Sequence, residues 1–415
     1  MQMFVVYLTS LAVFLSPFAR AAEIPIIILA VCGLVLMAKD FRSVWSRKSI
    51  KLFSLLFLLL WLPIIFSFPD AVKPIIALRL FGEYLRFYFF GLLLIFYLEN
   101  SSLQKRIISL VSFSLIFWIV DALIQAGTGK NLLGYPINPG RLNGLFGKDL
   151  KLGLYLAVYA PLLMVFTVLL KNKFSKLSLW GMLTLVILLA GSRAGWISFA
   201  VACAGLLGYL FLKHQKINWK LTVVVTALLI STAGASYFIV PSFAARLNQS
   251  MLVFSGDLRL IDKAVSTRLP IWSVAADMFL DHPINGVGAK EFRYAYNEYA
   301  DDGDPFANAT GDDTGAMHAH NMILDVGCET GLFGLLGLLG FCGVLIFIWF
   351  QADNEQKLQA APFAIGLLVT LFPLNTHFAF YSGSWTQVIF WYTALYISAI
   401  SFTGNVAIVE NHCYK

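Results

Sequence analysis

Charge is scarce in this sequence of 415 residues: only 13% are Asp, Glu, Lys or Arg, where an ordinary soluble domain carries about a quarter. A soluble globular enzyme is excluded on that ground. The signatures of nucleotide and zinc chemistry are missing too, with no G-x-x-x-x-G-K-[ST], no G-x-G-x-x-G after a strand and no H-E-x-x-H. ATP hydrolysis, nicotinamide chemistry and zinc proteolysis therefore lose their support. Cys32, Cys203, Cys328, Cys342 and Cys413 lie mostly in apolar segments without C-x-x-C spacing, so they read as small core residues rather than a disulfide or zinc framework. The net charge of +7 is spread between apolar blocks and forms no basic stripe, which argues against nucleic acid as a partner. Residues 1–20 carry no basic leader and no convincing A-x-A cleavage site before the next apolar run, and read as a first span rather than a removed signal peptide.

What fills the chain is apolar: 59% of residues are hydrophobic. They gather into blocks of about 20, the length that crosses a hydrocarbon core. The fold class is all-α, a polytopic membrane protein with about twelve transmembrane helices. The blocks cover residues 2–19, 23–38, 51–68, 80–98, 107–126, 152–170, 177–191, 194–212, 220–240, 321–350, 358–376 and 385–403. Positive short loops stay cytoplasmic, and the alternating set is Lys39, Arg42, Arg47, Lys48 and Lys51, then Lys105 and Arg106, Lys171, Lys173 and Lys176, and Lys213, Lys216 and Lys220. Both termini then face the cytoplasm. Three parts follow: residues 1–240 with nine spans and a smaller outer loop at 127–151, a large outer loop at 241–320, and residues 321–415 with three spans and a tail.

Long polar connections are where functional residues concentrate. The larger one holds eleven acids and six bases, so it is no general polyanion trap. Within it, Ile271, Trp272, Ala275, Met278 and Phe279 fall at helical spacing behind Pro270, predicting an amphipathic helix at the membrane surface. His282 to Gly288 is turn chemistry, and Phe292 to Tyr299 forms a second short helix. Asp301, Asp302, Asp304, Asp312 and Asp313 invite a divalent cation, but their spacing departs from an EF-hand loop and a solvated loop is the plainer reading.

His320 stands where this loop meets the tenth span. A helix N-terminus disfavours imidazolium and keeps the ring neutral, the form a general base requires. His318 lies two residues earlier, and its ring need not face the same way. Arg193, in Gly191-Ser192-Arg193-Ala194-Gly195-Trp196, is held at the membrane boundary by a short connection. Such a residue either snorkels or pairs with an anion. Arg268 precedes the amphipathic helix, whose first-turn N–H groups favour an anion. Two guanidiniums and one imidazole on one face describe an anion cradle with a base beside it. Lys73, Arg79 and Arg86 read as interfacial anchors or lipid-phosphate contacts, and Arg141, Lys148 and Lys151 divide the same way. Arg293 and His377 are secondary candidates. Trp272, Tyr294, Tyr296, Tyr299, Trp385 and Trp391 suit sugar stacking, although interface belts account for most such aromatics.

Three places in the chain resemble the O-antigen ligase and polymerase superfamily of bacterial inner-membrane glycosyltransferases. One is His320-Asn321, nine residues, then Gly331-Leu332-Phe333-Gly334, similar to the ligases' signature. Another is the Ser192-Arg193 segment opening a span. The third is Arg268-x-x-x-Trp272 followed by His282-Pro283 and Gly286-Val287-Gly288. The matches run over roughly residues 190 to 335. The resemblance implies an O-antigen ligase with its site on the periplasmic face. It would be metal-independent, inverting and without a cofactor, moving polysaccharide from undecaprenyl diphosphate to a sugar hydroxyl of lipid A–core among membrane lipids. Carried over by position, Arg193 and Arg268 hold the diphosphate and His320 deprotonates the acceptor. The rivals are an O-antigen polymerase, a protein O-oligosaccharyltransferase and, from another class, a transporter or lipid flippase coupled through Asp121, Asp325 or Glu329.

Overall fold

The computed structural model describes residues 1–214, 219–308, 313–374 and 378–401. Among the described residues the regular structure is helical, as a backbone in lipid must be to satisfy its own hydrogen bonds. It runs through α1 (Gln2–Phe14), a 3-10 stretch (Ser16–Ala22), α2 (Glu23–Lys39), short α3 (Phe41–Ser46), α4 (Lys48–Phe66), α5 (Pro74–Leu98) and α6 (Ser101–Thr128). After a polar loop come α7 (Leu152–Leu169), α8 (Lys173–Leu189), α9 (Arg193–His214) and α10 (Trp219–Ile239). Four shorter helices follow: α11 (Pro241–Met251), α12 (Leu258–Ala264), α13 (Leu269–Asp281) and α14 (Phe292–Tyr299). The chain closes with α15 (Met322–Gln351), α16 (Asn354–Thr370) and α17 (Gly383–Ile400).

Each of the twelve apolar blocks carries a helix, namely α1, α2, α4 to α10 and α15 to α17. Among the described residues, six stretches are long and apolar enough to cross a membrane: Arg20–Lys39, α4, α5, α6, α9 and α15. The first block yields less helix than its hydropathy suggests. Pro17, in the first turn of the 3-10 stretch, lacks a backbone donor, and α1 ends at Phe14. At the other end α16 starts four residues early, because Asp353 and Gln356 form a capping box.

The core is organised around α17, whose residues from Trp385 to Ile400 are all buried. Phe390 packs on Phe53, Phe57, Tyr84 and Phe87. The polar tips of the other aromatics find backbone partners on distant helices. Trp391 donates to the Thr9 carbonyl at 3.0 Å, Tyr392 to Val158 at 2.9 Å and Tyr396 to Leu345 at 3.0 Å. In a low-dielectric interior such bonds are costly to leave unmade. They pin α17 to α1, α7 and α15. Trp385 and Trp391 therefore belong to the core, which corrects their reading as sugar platforms.

A second, smaller core lies under α13 and α14. Ile271, Val274, Ala275 and Met278 pack with Phe292, Ala295 and Tyr296, and with Ala319 and Cys328 beside and within α15. The amphipathic helix expected at the membrane surface thus lays its apolar stripe on protein. The stripe spaced i, i+3, i+4 and i+7 fits either surface equally well, so periodicity alone did not distinguish them.

Candidate active site

Arg193 opens α9, and its guanidinium reaches across to the loop between α12 and α13. It donates to the Ala264 carbonyl and, at 2.7 Å, to the Ser266 hydroxyl. That loop is tightly wound: Ser266 and Thr267 both take left-handed backbone angles, with φ of 66° and 54°. It is closed by the Thr267 N–H on the Asp262 carbonyl at 2.8 Å and by the Leu269 N–H on the Asp262 carboxylate at 3.0 Å. Arg268 is the next residue after this turn. One predicted arginine therefore holds the loop that presents the other.

Two more arginines join them. Arg141, from the loop between α6 and α7, donates through Nε to the Ala190 carbonyl at 3.1 Å, and the Leu142 N–H bonds the Leu189 carbonyl at 3.0 Å. Arg246, on α11, buries its Nε without a partner among the described residues. Both side chains pass over Gly191. A Cβ there would sit 3.1 Å from Arg246 Nε and 3.3 Å from Arg141 Cγ, on a backbone with φ of 62°. Only glycine suits both demands. Among the described residues none of the four guanidiniums forms an ion pair. Burial, then the charges of Arg246 and Arg193, push the Arg141 guanidinium down to about 10. Burial, then Arg193, bring Arg268 down to about 10 as well. Both stay protonated at neutral pH, in a cluster whose neighbours are other cations. Such a site attracts an anion.

His320 lies just before α15, with φ of 51°. Asn321 caps the helix, accepting from the N–H groups of Ile323 at 3.0 Å and Leu324 at 3.3 Å. The His318 and His320 rings lie 3.9 Å apart, so the doublet does share a face. Helix α13 packs on α15 in the same direction. Phe279 lies beside Gly327, and further along α15, just past the end of α13, the Leu332 N–H bonds the Pro283 carbonyl at 2.8 Å. The N-terminal ends of the two helices, one led by Arg268 and the other by His320, thus lie at the same end of the pair. Trp272, one turn on from Arg268, is half-buried, and its indole N–H lacks a partner among the described residues.

The single span expected over 321–350 is broken. Gly331 takes φ of 59° and ψ of −153°, and a side chain there would strike the Ile284 carbonyl. The turn after α13 bonds into this break, with the Val287 N–H on the Cys328 carbonyl at 2.8 Å and Gly288 on Glu329 at 3.1 Å. Around it, buried carboxylates accept backbone N–H groups. Glu329 takes Lys290 at 2.8 Å and Phe292 at 3.3 Å; Asp325 takes Ala319 and Phe380, each at 2.8 Å. Asp121 likewise accepts the Leu132 N–H at 2.9 Å. The acids of the transport reading are thereby occupied as structural acceptors. Glu291, which accepts the Lys73 N–H, is another, and its burial raises its carboxyl above the usual range.

The remaining candidates fall elsewhere. Arg86 faces Glu23 at 3.7 Å and Glu83 at 4.0 Å, and Arg79 is exposed. Arg293 lies over the Tyr294 ring, 5.8 Å from its centre. Asp304 is engaged by the Tyr296 hydroxyl at 3.0 Å and the Phe306 N–H at 2.7 Å. His377 and Asp312 lie outside the described residues. Sequence reasoning passed over Arg246, and the signal available for it was Gly191, whose missing side chain makes room for two neighbours.

A bundle of apolar helices, six of them long and apolar enough to cross a membrane among the described residues, defines an all-α polytopic membrane protein, and Arg141, Arg193, Arg246 and Arg268 gather into its cationic cluster. Residues 177–339 match the family described as O-antigen ligase, which is consistent with the superfamily that the motifs resemble. Members of this family are membrane glycosyltransferase-like enzymes. The matched segment contains Arg193, Arg246, Arg268 and His320, while Arg141 lies before it. No curated protein matches the chain.

Proposed function

We propose that this protein is an O-antigen ligase, transferring O-antigen polysaccharide from undecaprenyl diphosphate to a sugar hydroxyl of lipid A–core at the periplasmic face of a bacterial inner membrane. The observation that carries this reading is the convergence of Arg193 and Arg268 in a cluster of cations. A glycosyl diphosphate carries its own leaving group, and departure leaves negative charge on the phosphoryl oxygens. Prearranged guanidiniums stabilise that charge as it develops. His320, before the N-terminus of α15, accepts the proton of the acceptor hydroxyl. The freed oxygen attacks the anomeric carbon, a new glycosidic bond forms, the anomeric C–O bond to phosphate breaks, and undecaprenyl diphosphate leaves. A single displacement of this kind inverts the anomeric centre. Neither a metal nor a cofactor is called on.

Incubating the purified protein with lipid-linked glycan and rough lipopolysaccharide, then measuring product mass and anomeric configuration, tests the reading. Capped lipid A–core with inverted configuration supports it. Elongated glycan still on undecaprenyl diphosphate would instead make the protein a polymerase, and vectorial movement of lipid in proteoliposomes without a new covalent product would make it a flippase.

A further inference from the structure

We propose that Arg141 and Arg246 complete a single four-guanidinium site with Arg193 and Arg268, built for two linked phosphoryl groups rather than one. The inference rests on the donor class assigned above and extends it to two residues outside the three motifs. The four side chains come from four different segments: the loop after α6, the start of α9, α11 and the residue before α13. Arg141 and Arg246 meet over Gly191, two residues before Arg193, and after burial it is the charges of the other cations of the group that lower Arg141 and Arg268. Two of the four are already partly committed to protein carbonyls, Arg193 to Ala264 and Arg141 to Ala190. Their remaining donors, with those of Arg246 and Arg268, are enough for forked contacts to both halves of a diphosphate. A single phosphate needs fewer.

The fold also makes a specific effort to hold Arg141 in place. Its loop is fastened to the last turn of α6 by Gln125, fully enclosed, which donates to the Asn143 side chain at 2.9 Å and to the Tyr135 carbonyl at 3.2 Å. The same amide accepts from the Asn143 N–H at 3.2 Å and the Gly144 N–H at 2.8 Å. Asp121 and Asn131 secure the loop's first half. An arginine meant only to snorkel would not need a loop fixed at this many points.

The test measures binding of inorganic pyrophosphate and inorganic phosphate to the full-length chain in detergent by calorimetry, for wild type and for Arg141→Gln, Arg246→Gln, Arg193→Gln and Arg268→Gln. Wild type should bind pyrophosphate at least about tenfold more tightly than phosphate. Arg141→Gln and Arg246→Gln should each weaken pyrophosphate about tenfold and phosphate much less, with the folded state checked by thermal melting and, should either melt early, by the matching Lys variant. Equal pyrophosphate affinity in wild type and in the Arg141 and Arg246 variants would overturn the inference, even if glycan transfer were found. Conversely, pyrophosphate binding lost in all four variants, without glycan transfer by wild type, would uphold this site while refuting the ligase reading.

Discussion

Arg193 contributes geometry as well as charge, because the two ends of its fork hold two different groups of one strained loop. An ammonium has no such fork. Arg193→Lys is therefore expected to keep the fold and lose about 10²-fold in transfer rate, the cost of misplacing a reacting group by roughly 1 Å; rates equal to wild type would reduce the role to bulk charge. His320→Ala should reduce transfer by about 10²–10⁴, the usual worth of a positioned base, with the thermal midpoint little changed. The arginines add a pH dependence with a definite sign. Arg141 and Arg268 titrate near 10, below an ordinary guanidinium, because burial and neighbouring cations disfavour the charged form. Pyrophosphate affinity should accordingly stay level from about pH 7 to 9 and fall as pH passes 10. Below 10 these residues are charged both folded and unfolded, so their repulsion burdens the fold in full, and the burden is lifted only as the pH climbs past 10. Arg268→Gln should then raise the thermal midpoint at neutral pH while weakening the anion site.

Elements show where local pattern stops being informative. The Gly-x-x-Gly signature was visible at Gly331 and Gly334, but its physical purpose was not. The stretch from Met322 to Phe350 is apolar enough to read as one span, and nothing in its periodicity marks a break. The break exists because the turn at 282–288 needs backbone partners at Cys328 and Glu329, a tertiary demand. Gly331→Ala meets a left-handed angle and the Ile284 carbonyl together, so a loss of about 1–3 kcal/mol is expected; a melting curve indistinguishable from wild type would show that the break tolerates a side chain. The stretch from Leu269 to Leu280 was legible as amphipathic, yet its partner was not, since an apolar stripe looks the same whether lipid or protein covers it. Arg246 was missed for a related reason: a loop arginine looks solvated until the fold brings it over Gly191.

At the scale of the whole molecule, the helical membrane architecture was the most legible feature, because blocks of about 20 apolar residues leave few alternatives. The organising role of α17 was not, since its pattern reads as one more span and nothing in it shows that Trp391, Tyr392 and Tyr396 tie it to α1, α7 and α15. The alternation of Lys and Arg further predicts sidedness. A cysteine introduced at Ser255, in the segment before α12, should be labelled by an impermeant maleimide from outside the cytoplasmic membrane, whereas one at Ser46, beside Arg47 and Lys48, should be protected. The reverse pattern would put the arginine cluster on the wrong side for a periplasmic reaction.

The tether from Arg193 to the loop before Arg268 has one more consequence. Because Arg193 is the first residue of α9, a helix long enough to cross the bilayer, the geometry of the anion site is joined to that helix's tilt. Membranes thinner or thicker than the apolar length of α9 force it to lean or straighten. Transfer rates in vesicles of graded acyl-chain length should pass through a maximum, and the Arg193 variants, having lost the tether, should respond more weakly to hydrophobic mismatch.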